Sequence, residues 1–230
     1  MNGRLAVGCP RYLEARGFSP AVQTRWHAGY APASWDALTR QLHALGYPDE
    51  LIERAGLARQ SQRGSLIDVF RDRAVFPIRS TTGTVTGFIG RARDARIAGA
   101  PKYLNTPRTC LFDKSRLLFG LYEARTALAA GARPVIVEGP FDAIAVTAAG
   151  QERFAGVGTC GTAVTAQHIA ALAQGTDLRA VGPSSDSTRT SPGNEPLSAL
   201  ITCSVPSRTS WTPLTSNTAK TRRTSSPAKG

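Results

Sequence analysis

The 230-residue chain is short of acids: 16 Asp and Glu stand against 28 Lys and Arg, a formal net charge of +12. Such an imbalance disfavours a cationic partner and suits a polyanion, nucleic acid before a membrane surface. Arg-rich usage from a GC-rich source would also raise the charge. Cysteine is sparse and unpaired in sequence. Cys9, Cys110, Cys160 and Cys203 lie far apart and form no C-x-x-C. That spacing offers no readable zinc site and no disulfide framework, and it fits a reducing cytosol. No apolar run approaches a membrane span, and the first residues lack a signal-peptide core. The expectation is a cytoplasmic protein with no membrane partner. The length allows one or two domains with a real core.

The stretch 134–150, PVIVEGPFDAIAVTAAG, is the most informative. Val135, Ile136 and Val137 read as a buried strand of a parallel sheet. Glu138 ends that strand and Gly139 follows. Residues 141–149 read as an Ala-rich helix with Asp142 in its first turn and Gly150 as its stop. A carboxylate at the C-terminal end of a parallel strand lies where open α/β sheets carry chemistry. It could hold a divalent metal or act as a general acid or base. An ordinary strand-to-helix turn with a solvated Glu reads the same way.

Three further blocks accompany it in order: FPIRSTTGTVTGFIGRA at 76–92, PKYLNTPRTCLFDKSRLLFGLYEAR at 101–125, and GTAVTAQHI at 161–169. Together with VIVEGPFDAIAV they resemble the catalytic core of bacterial DnaG-type primases, over roughly residues 12–175. VIVEGPFDAIAV itself resembles the first motif of a TOPRIM domain. The fold so implied is α+β: a small α-helical and β N-terminal subdomain at 11–131, then an incomplete TOPRIM α/β parallel-sheet subdomain at 132–182. Residues 183–230, rich in Ser, Thr and Pro, would form a disordered tail.

Local signals agree with this layout. A short helix ends at Gly17, and Ser19-Pro20 caps and opens a second. Residues 29–32 match the family's GYAP turn. Helices follow at 35–45, with Leu38, Leu42 and Leu45 on one face, and from Pro48 to a stop at Gly56. His27 reads as a structural or surface histidine. Strands at 74–78 and 85–89 form a hairpin around Thr82-Gly83. Residues 96–102 read as a loop. Residues 118–130 form a helix with Leu121 and Leu128 inward. A strand at 154–157 and a helix at 165–174, capped by Thr165, complete parallel βαβ units.

The resemblance also implies a reaction: template-directed synthesis of short RNA primers from ribonucleotides. Glu138 would be the catalytic and metal-site acid, with Asp142 in support, and Mg²⁺ or Mn²⁺ the metal. Arg79, Arg91, Lys102, Asn105 and Lys114 would contact nucleotide or nucleic-acid phosphates. A planar guanidinium suits that task because it donates two parallel hydrogen bonds. Partners would be a single-stranded DNA template, ribonucleotides and a replicative helicase.

One element of the pattern is missing. The family gathers its metal with a D-x-D motif after the next strand, here expected near Leu178. Residues 181–193 read VGPSSDSTRTSPG, with Asp186 a single acid. Primer synthesis by this chain is therefore expected to be weak or absent. A reading-frame shift between about Asp177 and Ser185 would explain the abrupt change, as would a genuine basic tail. The family's N-terminal zinc-binding and C-terminal helicase-binding regions are likewise not seen. The alternative function is a non-catalytic single-stranded DNA-binding remnant of a primase. An unrelated TOPRIM nuclease or topoisomerase-like enzyme fits the PKYLN block less well.

Overall fold

The computed structural model describes residues 9–94, 101–175 and 201–202. Two short helices come first, α1 (Cys9–Glu14) and α2 (Pro20–Arg25). The Ser19 hydroxyl accepts from the Val22 N–H at 3.4 Å and Pro20 opens α2, as its sequence predicts. The GYAP segment is not a simple turn. Gly29–Ala31 forms β1, which pairs antiparallel with β4 (Arg73–Arg79). The reason is backbone satisfaction: β4 carries the apolar FPI run and needs a partner on both edges.

Helices α3 (Ala37–Ala44) and α4 (Asp49–Arg54) follow. The apolar face expected for α3 is only partly used. Leu45 is 63% exposed, and the buried residue is Thr39. Asp68 explains this. Its carboxylate accepts from the Leu38 and Thr39 N–H groups at 2.7 and 3.0 Å and from the Thr39 hydroxyl at 2.6 Å. A side chain from another strand thus caps α3, satisfying donors that Asp36 leaves open. That strand is β3 (Leu66–Asp68), paired with β2 (Ala58–Gln60) in a small hairpin without a strong sequence signal.

The hairpin of β4 and β5 (Val85–Ala92) forms as expected, turning at Gly83 with φ +91°. The short strand β6 (Tyr103–Asn105) adds to β5, giving an antiparallel sheet of order β1-β4-β5-β6. The KYLN block is therefore an edge strand. Helix α5 (Leu121–Ala129) begins three residues later than its apolar pattern suggests. Phe119 is taken into an antiparallel bridge with Gly158, and Gly120 turns the chain at φ +83°.

The second sheet is parallel. Strand β7 (Arg133–Val137) lies centrally between β8 (Phe154–Gly158) and β9 (Ile201–Thr202). Helix α6 (Pro140–Ala149) crosses from β7 to β8, and α7 (Ala166–Gly175) follows β8. Strand β9 falls within the stretch read as a tail. The strand expected near Leu178, the possible frame shift and Asp186 lie outside the described residues.

Period-2 alternation in β7 divides the core. Val135 and Val137 face one layer with Phe141, Ile144, Phe76 and Phe119. Ile136 faces the other with Leu121, Leu128, Val157 and Leu172. Helix α5 thus packs on the parallel sheet, although the expected boundary at 131/132 assigns it to the N-terminal subdomain. Phe76 from β4 meets the rings of Phe119 and Phe141 edge-on at 6.2 and 5.7 Å. The two sheets share one continuous core. Among the described residues no helix is long and apolar enough to cross a membrane.

Candidate active site

The site is built where β6 lies across the C-terminal edge of the parallel sheet. Glu138 leaves β7 exposed to solvent, and Asp142 sits half-buried one turn into α6. Gly139 between them has no Cβ. A Cβ there would lie 3.0 Å from Asp142 Oδ2 and 3.5 Å from the Tyr103 ring. The glycine lets the carboxylate and the ring close over the backbone.

Arg91 and Lys102 lie within Coulomb reach of Asp142. Residues Arg91 and Tyr103 are direct partners across β5 and β6, and the Lys102 carbonyl accepts from the Ala92 N–H. Arg91 Nη1 donates to the Tyr103 hydroxyl at 3.0 Å, and its guanidinium stacks 4.2 Å from the Phe141 ring centroid. Burial pushes the Tyr103 phenol up to about 12. It stays neutral, a hydrogen-bond partner and not a charge.

Asp142 reads the whole cluster electrostatically. Burial holds its carboxyl above the usual range, and neighbouring Glu138 adds to the shift; Lys102 and Arg91 act in the opposite sense. Two acids and two cations therefore lie within Coulomb reach of one another. Such a mixed cluster at a strand end is a candidate for phosphate and metal chemistry.

Asn105, two residues along β6 from Tyr103, turns to the next loop. Its Nδ2 donates to the Cys160 carbonyl at 2.9 Å. Its Oδ1 is buried without a hydrogen-bond partner. Cys160 is itself unusual, with φ +56° and a thiol that burial pushes up to about 12. It is inert as a nucleophile. Lys114 is exposed, and its charge is felt at Cys160. Lys114 thus lies within Coulomb reach of the same turn.

Arg79 does not join this group. Its Nε pairs with Glu123 at 3.2 Å, Nη1 donates to the Gly83 carbonyl, and the guanidinium lies 5.9 Å from the Tyr122 ring centroid. Both charged side chains are largely buried, so Arg79 fastens the β4–β5 hairpin to α5. No local pattern signals this pair, because the partners are 44 positions apart. Tyr103 was also not singled out. Its signal was strand alternation, since Tyr103 and Asn105 share one face of β6.

Among the described residues no three His, Cys, Asp or Glu side chains gather to hold a metal. Glu138 and Asp142 are oxygen donors of the kind Mg²⁺ takes beside water and substrate phosphates.

The family model for the N-terminal domain of the DNA primase catalytic core matches residues 4–125. The chain belongs to the DNA primase catalytic core family. A Toprim-like model matches residues 135–182. DNA primase of Mycobacterium tuberculosis is 40% identical over 167 residues, covering 73% of this chain and 26% of that protein. DNA primase of Deinococcus radiodurans is 41% identical over 163 residues, covering 70% and 28%. The chain thus spans about a quarter of the length of these primases. Among solved structures, the RNA polymerase domain of M. tuberculosis primase in complex with double-stranded DNA matches with TM-score 0.66 and 38% identity, over 74% of this chain and 52% of that one. A primase catalytic domain bound to single-stranded DNA matches with TM-score 0.65 and 36% identity, over 76% and 55%. Both the helical-and-antiparallel part and the parallel part of the chain are those of a primase core, and Toprim primases as a family use divalent metal.

Proposed function

We propose that this chain holds single-stranded DNA and nucleotide phosphates along β6 and the C-terminal edge of the parallel sheet, as part of template-directed primer synthesis. The observation that carries the reading is the cluster around Asp142, whose carboxylate feels Arg91, Lys102 and Glu138 together, beside the Arg91–Tyr103 hydrogen bond. In that reaction a 3′-hydroxyl attacks the α-phosphate of a ribonucleotide and pyrophosphate leaves. Arg91 and Lys102 hold phosphate oxygens and offset their charge, and Lys114, within Coulomb reach of the Cys160 turn, adds a third cation. Asn105 fixes that turn through the Cys160 carbonyl. Glu138, exposed at the strand end, is placed to take the hydroxyl proton or to serve as the metal-site acid. Mg²⁺ or Mn²⁺ would be held by Glu138 with Asp142, and would neutralise phosphate charge. A cytoplasmic setting and a replicative helicase partner belong to the same reading.

The experiment is fluorescence anisotropy of a labelled dT16 strand over a salt series. The intact chain should bind with strong salt dependence, and Arg91→Ala and Lys102→Ala should each weaken binding and flatten the salt slope. Undiminished binding by the double variant would overturn the reading.

A non-catalytic variant of this function has one observation in its favour. The sequence holds no D-x-D anywhere, so the acids at the site are few. Binding is then expected to outlast chemistry.

A further inference from the structure

The block GTAVTAQHI contains a buried histidine that no step above uses. His168 is fully buried at the start of α7. Its Nδ1 accepts from the Thr165 N–H at 3.2 Å, and the His168 N–H donates to Thr165 Oγ1 at 3.1 Å. This is a capping box in which His takes the place usually held by Glu or Gln. The arrangement fixes the tautomer. Nδ1 must be the acceptor, so Nε2 carries the proton, and Nε2 donates to the Lys114 carbonyl at 2.9 Å. The Thr165 hydroxyl completes a second link by donating to the Ser115 carbonyl at 2.6 Å.

Two successive carbonyls, of Lys114 and Ser115, are thus pinned to the first turn of α7. Asp113 supports the same turn from within. Its Oδ1 accepts from the Ser115 N–H and hydroxyl at 3.0 and 2.7 Å, and Arg108 pairs with its other oxygen. The Lys114 side chain is left exposed, within Coulomb reach of Cys160. A long ammonium side chain on a free loop would lose its position to chain entropy; here the backbone beneath it is fixed at two points.

We infer that Thr165 and His168 are positioning residues that hold Lys114 against the phosphate-binding edge of the site. The inference rests on the reading of Lys114 as a phosphate contact. A neutral imidazole and a glutamine amide each carry a donor nitrogen beside an acceptor atom, so His168→Gln can replace both links, whereas His168→Leu removes both.

The test is dT16 anisotropy across a salt series on Lys114→Ala, His168→Leu, His168→Gln, Thr165→Val and the double variant Lys114→Ala/His168→Leu, with folding checked by circular dichroism. Lys114→Ala should weaken binding about fivefold and reduce the salt slope by about 1. His168→Leu should reproduce most of that loss, the double variant should add little to it, and His168→Gln should restore it. If His168→Leu does not fold, Thr165→Val carries the comparison and should lose part of the slope. Histidine ¹⁵N shifts should show the Nε2–H tautomer. Full binding by folded His168→Leu or Thr165→Val, while Lys114→Ala is weakened, overturns the clamp and leaves the reading of Lys114 standing. No effect of Lys114→Ala overturns both.

Discussion

The two sheets meet at one site but supply it unequally. The antiparallel sheet brings Arg91, Tyr103 and Asn105 on paired strands, with Lys102 beside them. The parallel sheet brings Glu138 and Asp142, and one side of β7 is covered by the two residues of β9. On the cation side Arg91 is held by a hydrogen bond to Tyr103; among the described residues the acid side brings Glu138 and Asp142. Under the proposed function, phosphate binding draws on the β5–β6 edge and phosphoryl chemistry on the acids at the end of β7, so the two can be tested separately.

Predictions on this contrast run from large to small. Phe76 belongs to both halves, since its ring touches Phe119 and Phe141. Phe76→Ala should cost about 4 kcal/mol and should weaken both sheets together in denaturant unfolding followed by hydrogen exchange. Loss of protection in only one sheet would show that the halves are independent. Arg79→Ala leaves the Glu123 carboxylate buried without its partner. It should cost about 2 kcal/mol of stability, with dT16 affinity nearly unchanged. A tenfold loss of affinity with stability intact would return Arg79 to the binding face.

Arg91→Ala should lower dT16 affinity about tenfold, about 1.4 kcal/mol, whereas Glu138→Gln should leave it unchanged or slightly improved. Equal losses in the two variants would erase the division of labour. The smallest effect concerns Asp142. Its carboxyl is shifted up in the folded chain, first by burial. The folded state therefore binds that proton more tightly than the unfolded chain, and stability falls as pH rises from the usual Asp range through the raised value. Asp142→Asn should raise Tm slightly at pH 7. The gain should vanish once pH drops below the ordinary Asp range, where both side chains are neutral. A loss of stability at pH 7 would mean that Arg91 and Lys102 outweigh burial.

Much of the architecture was legible because its signals are local. The β-branched run at 135–137, the Gly150 stop and the Ser19-Pro20 cap need no distant partner, and each element forms where expected. What sequence hid depends on long-range pairing. Asp68 caps α3 from a strand some thirty residues away, so Thr39 is buried where leucines were expected. Phe119 leaves the α5 pattern to bridge Gly158. The motif blocks bring Glu138, Arg91 and Lys102 within Coulomb reach of Asp142, and Asn105 onto the Cys160 turn. Arg79 sits in an equally arginine-rich block yet answers to Glu123, because a buried carboxylate outcompetes solvent for a nearby guanidinium.

The most direct measurement is template-dependent RNA primer synthesis by the whole chain, with Mg²⁺ and with Mn²⁺, beside dT16 binding in the same buffer. The account predicts clear single-strand binding with product at or near background. Robust template-dependent product that disappears in Glu138→Gln would contradict it, and would mean that the acid side of the site is complete.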